Sequence, residues 1–186
     1  MQIDLTNVTI KTERATLRLF KESDLEDFYE YCKEPGVGES AGWSPHKNIE
    51  ESRQVLNHFL EEGHDLAIVI DGKVVGSFGI MTKEWNFPEE IMKKLEGKKL
   101  VELGYVLAKP YWGRGIMTEC CKAVISWLFE NTDVDGILCG HFDYNTRSKR
   151  VIEKCGFVFL CRGTYETRYG TVENDTNYIL LRNIHN

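Results

Sequence analysis

The stretch Glu102-Leu103-Gly104-Tyr105-Val106-Leu107-Ala108-Lys109-Pro110-Tyr111-Trp112-Gly113-Arg114-Gly115-Ile116-Met117-Thr118-Glu119 decides how this chain is read. The run Leu100 to Leu107 is apolar on both faces, which predicts a central strand. A loop with Gly113 and Gly115 follows. The helix from Gly115 to Asn131 then lines up Ile116, Cys120, Ala123, Val124, Trp127 and Leu128 on one face. The first N–H groups of a helix have no internal partner, and the helix dipole puts partial positive charge beside them. Two glycines let the backbone approach a ligand closely, and Arg114 adds a fixed charge. The strand, loop and helix together suit an anion such as a pyrophosphate. A Gly-x-Gly before a helix also fits a plain tight turn. The phosphate loop Gly-x-x-x-x-Gly-Lys-Ser/Thr is absent, and a dinucleotide fingerprint would need Gly where Thr118 stands.

Outward from this stretch, the elements are short and well punctuated. Val8 to Phe20 carries an alternating strand signal at Thr16 to Phe20. Ser23-Asp24-Leu25-Glu26 reads as a capping box, and Asn48 caps a second helix with Val55, Leu56, Phe59 and Leu60 on one face. Asp71-Gly72 joins the strands Leu66–Ile70 and Lys73–Met81 in a hairpin. In Lys83 to Lys99 the strand pattern lapses, and Pro88 with Ile91, Met92 and Leu95 suits a helix. Ile137 to Phe142 is a strand, and Asn145 opens a helix that Gly156 stops after Cys155. Two strands meeting at Tyr169-Gly170 close the chain. The order β-α-α-β-β-β-α-β-α-β-β predicts an α/β fold with a mixed, mostly antiparallel sheet flanked by helices, in one domain over residues 1–186.

Composition narrows the function. Lys plus Arg is 23 against 29 Asp plus Glu, a net charge of −6, which excludes a nucleic-acid-binding balance. Hydrophobic residues are 42% and charged residues 28%, ordinary for a soluble globule. No apolar run approaches the roughly 20 residues that span a bilayer. The start, Met1 to Leu5, lacks the basic and apolar regions of a signal peptide, so a cytoplasmic protein is expected. The six cysteines form no C-x-x-C, and the five histidines form no His-Glu-x-x-His. Reduced thiols and no metal site are expected.

A second constellation is Asn145-Thr146-Arg147-Ser148-Lys149-Arg150-Val151-Ile152-Glu153-Lys154-Cys155-Gly156-Phe157. Taken with Gly-Tyr…Trp-Gly-Arg-Gly-x-Met-Thr-Glu, it resembles the GNAT superfamily of acetyl-CoA-dependent N-acetyltransferases, in the branch similar to the RimJ/RimL ribosomal-protein acetyltransferases. The resemblance runs from Arg14-Ala15-Thr16-Leu17-Arg18-Leu19 to the final strands. It implies acetyl-CoA as co-substrate, without a metal. It implies that the backbone of Leu103, Gly104, Tyr105, Val106 and Leu107 pairs with the pantetheine arm. It further implies that Trp112, Gly113, Arg114, Gly115, Ile116 and Met117 hold the pyrophosphate and that Asn145 hydrogen-bonds the pantetheine. The family's loop usually begins with Gln or Arg; here Tyr111-Trp112 precedes the glycines, leaving the phosphates to backbone N–H groups and Arg114.

The implied reaction is direct attack of an amine on the acetyl thioester. An ammonium must first lose a proton, and Glu102, the lone charge in its strand, is the candidate base. Ser148 is the candidate proton donor to the leaving thiolate, with Tyr144 in reserve, and a backbone N–H near Val106 or Leu107 would hold the oxyanion. Trp43, His46 and His141 are candidate acceptor contacts, and Trp85 and Phe87 open a segment that is a lid or a solvated helix. Each also has a plain structural reading: a paired Glu at a strand end, a Ser that serves local backbone, a core histidine, a Trp packed under its loop. The expected acceptor is a primary amine of a small molecule or a protein N-terminus, and the acidic chain leans towards a cationic one. No nucleic-acid or membrane partner is expected, and a monomer or homodimer is. A non-catalytic acyl-CoA sensor of the same fold is the alternative. An oxidoreductase is disfavoured by the missing fingerprint.

Overall fold

Strand β5 (Leu100–Leu107) sits fifth of eight in a single sheet, ordered β1-β2-β3-β4-β5-β6-β8-β7 in a computed structural model that describes residues 3–83 and 85–182. The others are β1 (Thr9–Lys11), β2 (Thr16–Leu19), β3 (Asp65–Ile70), β4 (Lys73–Met81), β6 (Gly136–Phe142), β7 (Val158–Glu166) and β8 (Val172–Leu181). The helices are α1 (Leu25–Cys32), α2 (Ile49–Glu62), α3 (Glu89–Leu95), α4 (Ile116–Asn131) and α5 (Thr146–Lys154). The expected mixed, mostly antiparallel sheet is present: among the described residues only β5 and β6 pair in parallel, across the α4 crossover.

Local chemistry explains most elements. Asp71 and Gly72 take φ of +51° and +79°, the positive pair that a two-residue hairpin turn requires. Asn48 caps α2 by accepting from the Glu51 N–H at 2.9 Å. Two readings need correction. The region Val8 to Phe20 is a hairpin of two strands, closed where Thr12 Oγ1 accepts from the Ala15 N–H at 2.9 Å. Ser23 caps nothing; Asp24 holds the turn, accepting from the Lys21 N–H and from both Arg18 guanidinium ends. At the end of the chain β8 lies between β6 and β7, so β7 forms the sheet edge.

Two packing facts position the site. The β5–β6 ladder runs only from Leu100↔Gly136 to Leu103↔Cys139. Beyond it β5 still pairs with β4, and β6 with β8, so the two strands splay into a V. Helix α3 buries Ile91 and Leu95 against Leu100, Leu138, Cys161 and Ile179, while Met92 faces solvent. Each such burial contributes roughly 1.5–3 kcal/mol. The 83–99 segment is thereby fastened beside the V, although Glu84 within it lies outside the described residues.

Candidate functional site

The mouth of the V is a cleft of about 420 Å³. Its walls are Glu102–Leu107 of β5, Cys139–Phe142 of β6, the start of α4 and one face of α5.

At one end lies the glycine loop. Gly113 and Gly115 take φ of +72° and +79°, and Gly115 is the N-cap of α4. A Cβ on Gly113 would meet nothing within 4 Å, so the loop offers bare backbone facing open space. The Trp112 indole donates to the Leu107 carbonyl and ties the loop to the strand end. Arg14 braces it from behind: its guanidinium donates to the Arg114 carbonyl at 2.8 Å and to Glu119 at 2.7 Å. The Arg114 side chain does not line the cleft. It is exposed and lies 5.7 Å from the Tyr111 ring centroid. At this end the cations of the cleft come instead from α5, as Arg147, Arg150 and Lys154. The Arg147 guanidinium stacks over Trp112 at 4.0 Å. Sequence reasoning passed over these three. Their spacing, shared with the cleft-lining Val151, puts them on one helical face and was the available signal.

Asn145 caps α5. Its Oδ1 accepts from the Ser148 N–H at 3.1 Å and its Nδ2 donates to the Ser40 carbonyl at 3.2 Å, so it fixes the helix start at the cleft wall. The Ser148 hydroxyl lies 3.0 Å from the Tyr105 hydroxyl. Burial pushes the Tyr105 phenol well above its usual range, which keeps its proton in place for donation. Tyr105 entered the sequence reading only through its backbone; its hydroxyl joins Ser148 in the structure. Tyr144 is 54% exposed, donates to the Glu39 carbonyl and lies outside the cleft lining.

At the other end Glu102 is not a lone charge. Its Oε2 accepts from the Lys83 ammonium at 2.9 Å and from the Trp85 indole at 2.9 Å. Its Oε1 has no protein partner among the described residues. Asp175 and Asn177 share this end, with Asn177 Nδ2 donating to Asp175 Oδ2 at 3.1 Å. Burial, with Glu102 nearby, pushes the Asp175 carboxyl upward.

The histidines and Trp43 have other employment. His141 lines the cleft, yet its Nδ1 donates to the Phe142 carbonyl at 2.8 Å, leaving Nε2 to accept from the Tyr178 hydroxyl at 3.4 Å. Both ring nitrogens are engaged. His46 is buried, with Nδ1 2.7 Å from the Ser52 hydroxyl, and burial lowers its basicity. Trp43 packs over Gly38, where a Cβ would lie 2.2 Å from the indole. Neither His46 nor Trp43 lines the cleft; from that loop region Val37, Ser40 and Ala41 do. Among the described residues no helix is long and apolar enough to cross a membrane, and no cluster of three or more His, Cys, Asp or Glu could hold a metal ion.

Residues 14–158 match the family model described as Acetyltransferase (GNAT) domain. The protein named uncharacterized N-acetyltransferase p20 of Bacillus licheniformis is 24% identical over 156 residues, 80% of this chain and 82% of that one. Among solved structures, the ribosomal-protein-S5-alanine acetyltransferase from Vibrio fischeri aligns with a TM-score of 0.73 at 20% identity, over 96% of this chain and 98% of that one. The microcin C7 self-immunity acetyltransferase MccE, solved with acetyl-CoA and AMP, aligns with a TM-score of 0.75 at 16% identity, over 91% and 93%.

Proposed function

The chain belongs to the GNAT acetyltransferase family, and from that premise we propose that it moves the acetyl group of acetyl-CoA onto a primary amine, of a small molecule or a protein N-terminus, by direct attack. One observation carries the reading: the β5–β6 ladder stops at Leu103↔Cys139, and the resulting cleft opens onto a positive-φ glycine loop at a helix N-terminus. The chemistry of the lining fits a coenzyme A thioester. The N–H groups at the start of α4, with Arg147, Arg150 and Lys154, suit its phosphates, and the unladdered β5 edge suits its amide arm.

The chain's own residues then divide the work. Oε2 of Glu102 is held by Lys83 and Trp85, which leaves Oε1 to take the proton that the acceptor ammonium must lose. The amine's lone pair attacks the acetyl carbon, the C–S bond breaks, and the thiolate takes a proton from the Tyr105–Ser148 hydroxyl pair. Backbone N–H groups on the open β5 edge hold the developing oxyanion. A cytoplasmic setting suits a chain with five of its six thiols buried.

A thiol-release assay with acetyl-CoA and a panel of polyamines, aminoglycosides, free amino acids and N-terminal peptides tests the reading. Amine-dependent release supports it. Tight acetyl-CoA binding with no transfer to any amine would turn the chain into an acyl-CoA sensor.

A further inference from the structure

We propose that Lys83 is itself an acetyl acceptor: the chain acetylates this side chain in cis, within its own cleft. The proposal rests on the acetyltransferase reading above and adds a modification site to it. Two lysines line the cleft, Lys83 and Lys154. Lys154 is on α5, with the cations of the phosphate end. Lys83 is at the opposite end, its Nζ 2.9 Å from Glu102 Oε2. That is the distance at which a general base takes a proton, so Lys83 can hand its proton to Oε2 as an added amine would hand its own to Oε1.

Reach and rigidity support the same assignment. From Leu107, beside the glycine loop, back to Gly104, where the open edge ends, is about 10 Å of strand, and the Glu102 side chain lines the cleft just beyond that point. An arm anchored at the loop and laid along that edge therefore points its thioester at the end of the cleft that Glu102 and Lys83 line. Lys83 is held there rather than waving in solvent. It follows β4 by two residues, Trp85 shares the same carboxylate oxygen, and Ile91 and Leu95 fasten the segment beyond. Fixing an amine beside the reacting carbon replaces a bimolecular encounter with an intramolecular one. The Lys83 side chain is 46% exposed, so the neutral product has room to turn outwards.

The step balances without any further reactant. The Lys83 ammonium gives one proton to Glu102, and the freed lone pair forms the C–N bond to the acetyl carbon. The C–S bond breaks with its electron pair going to sulfur. The second nitrogen proton leaves as the amide forms, the thiolate is protonated, and Glu102 returns its proton to water. The products are Nε-acetyl-lysine, free coenzyme A and one solvent proton.

The test incubates the full chain with isotopically labelled acetyl-CoA, without added amine, and maps label by peptide mass spectrometry over time. Expected is label on Lys83 at least about tenfold faster than on exposed Lys93, at a rate independent of protein concentration. Glu102→Gln should drop the Lys83 rate to that of Lys93, and Lys83→Arg should remove the fast phase altogether. Label on wild-type Lys83 no faster than on Lys93 overturns the proposal, and needs no variant to fold. A rate that rises with protein concentration also overturns it, because the transfer is then between molecules. The panel assay run on the same sample separates the two ideas: turnover of added amines with slow Lys83 labelling refutes only the internal acceptor. Neither turnover nor acetyl-CoA binding refutes both.

Discussion

Valine placed at Gly113 should separate the cost of backbone strain from the loss of a ligand cradle. Gly113 has φ of +72° with nothing within 4 Å of a built Cβ, so the variant meets strain but no clash. An L-residue in the left-handed region costs roughly 1–2 kcal/mol. For a chain of this size each kcal/mol lowers Tm by about 2–4 °C, so a fall of about 2–8 °C is expected. Gly63 supplies the matched control. It closes α2 at φ of +66°, also with nothing within 4 Å, and does not line the cleft. Gly63→Val should melt lower by the same margin and bind acetyl-CoA like wild type. In Gly113→Val the side chain enters the space where a phosphate would meet bare backbone. Losing even one charge-assisted hydrogen bond costs roughly 1.5–3 kcal/mol, a 10- to 150-fold weaker Kd on the scale of about 1.4 kcal/mol per decade. Calorimetric titration with acetyl-CoA, alongside melting curves of all three proteins, reads both quantities. A folded Gly113→Val whose Kd stays within about threefold of wild type, below the loss of a single such bond, refutes the pyrophosphate assignment. An unchanged Tm in both variants refutes the strain argument.

Glu102→Gln should keep acetyl-CoA affinity and slow transfer about 10²–10⁴-fold near neutral pH, the defect shrinking as the acceptor amine deprotonates; parallel pH–rate profiles within about threefold of wild type, below the smallest loss of a base, would remove Glu102 from the role. Tyr105→Phe and Ser148→Ala should each slow transfer by about 10²-fold or more, with the double variant no slower than the slower single, because hydroxyls that act as a unit are lost together; multiplying losses would mean two independent functions. Asp65, half-buried at the start of β3, tests the cost of burial, which pushes its carboxyl up from 3.8 to about 6. Since the folded value exceeds the unfolded one, its ionisation opposes folding, a penalty absent below about pH 4, growing through about pH 4–6 and complete above. Asp65→Asn should therefore stabilise the chain by on the order of 2–3 kcal/mol at about pH 8 and not at about pH 4; equal melting shifts at both values would sink the argument.

The parts of this fold legible in the sequence are those governed by neighbours along the chain. Asn48 and Asn145 announce their helices because an N-cap bond spans three residues. Asp71-Gly72 announces its hairpin because both central residues need positive φ. The unpolar β5 is central because no other place buries both of its faces. What the sequence concealed is set by contacts between distant segments. Lys83 and Trp85 reach Glu102 across 19 and 17 residues only because α3 docks on Leu100 and Leu138. The placement of β8 between β6 and β7 is a choice of sheet order that each strand's own pattern leaves open. His46 and Trp43 follow the same logic: a Trp and a His in a Gly/Pro-rich loop look available to a substrate until the loop folds back on Phe28 and Gly38.

Charge shows the difference between a total and a field. A net charge of −6 suggests a molecule that repels anions, yet Arg147, Arg150 and Lys154 gather along one wall of the cleft, at the end where the α4 dipole also points its positive pole. Arg114, the cation that adjoins the glycines in sequence, stacks on Tyr111 outside the lining. Helical phase decides between them, since α5 presents every third or fourth residue to the cleft while a loop residue between two left-handed glycines points its side chain away. At the far end Glu102 and Asp175 carry the opposite sign, partly balanced by Lys83. The cleft is thus polarised along its length, cationic where phosphates would lie and acidic where an amine must give up its proton. A wall of one sign throughout would hold either the coenzyme or an ammonium well and repel the other. Two ends of opposite sign let one cleft hold both, and the unladdered β5 edge between them is where the two substrates would meet.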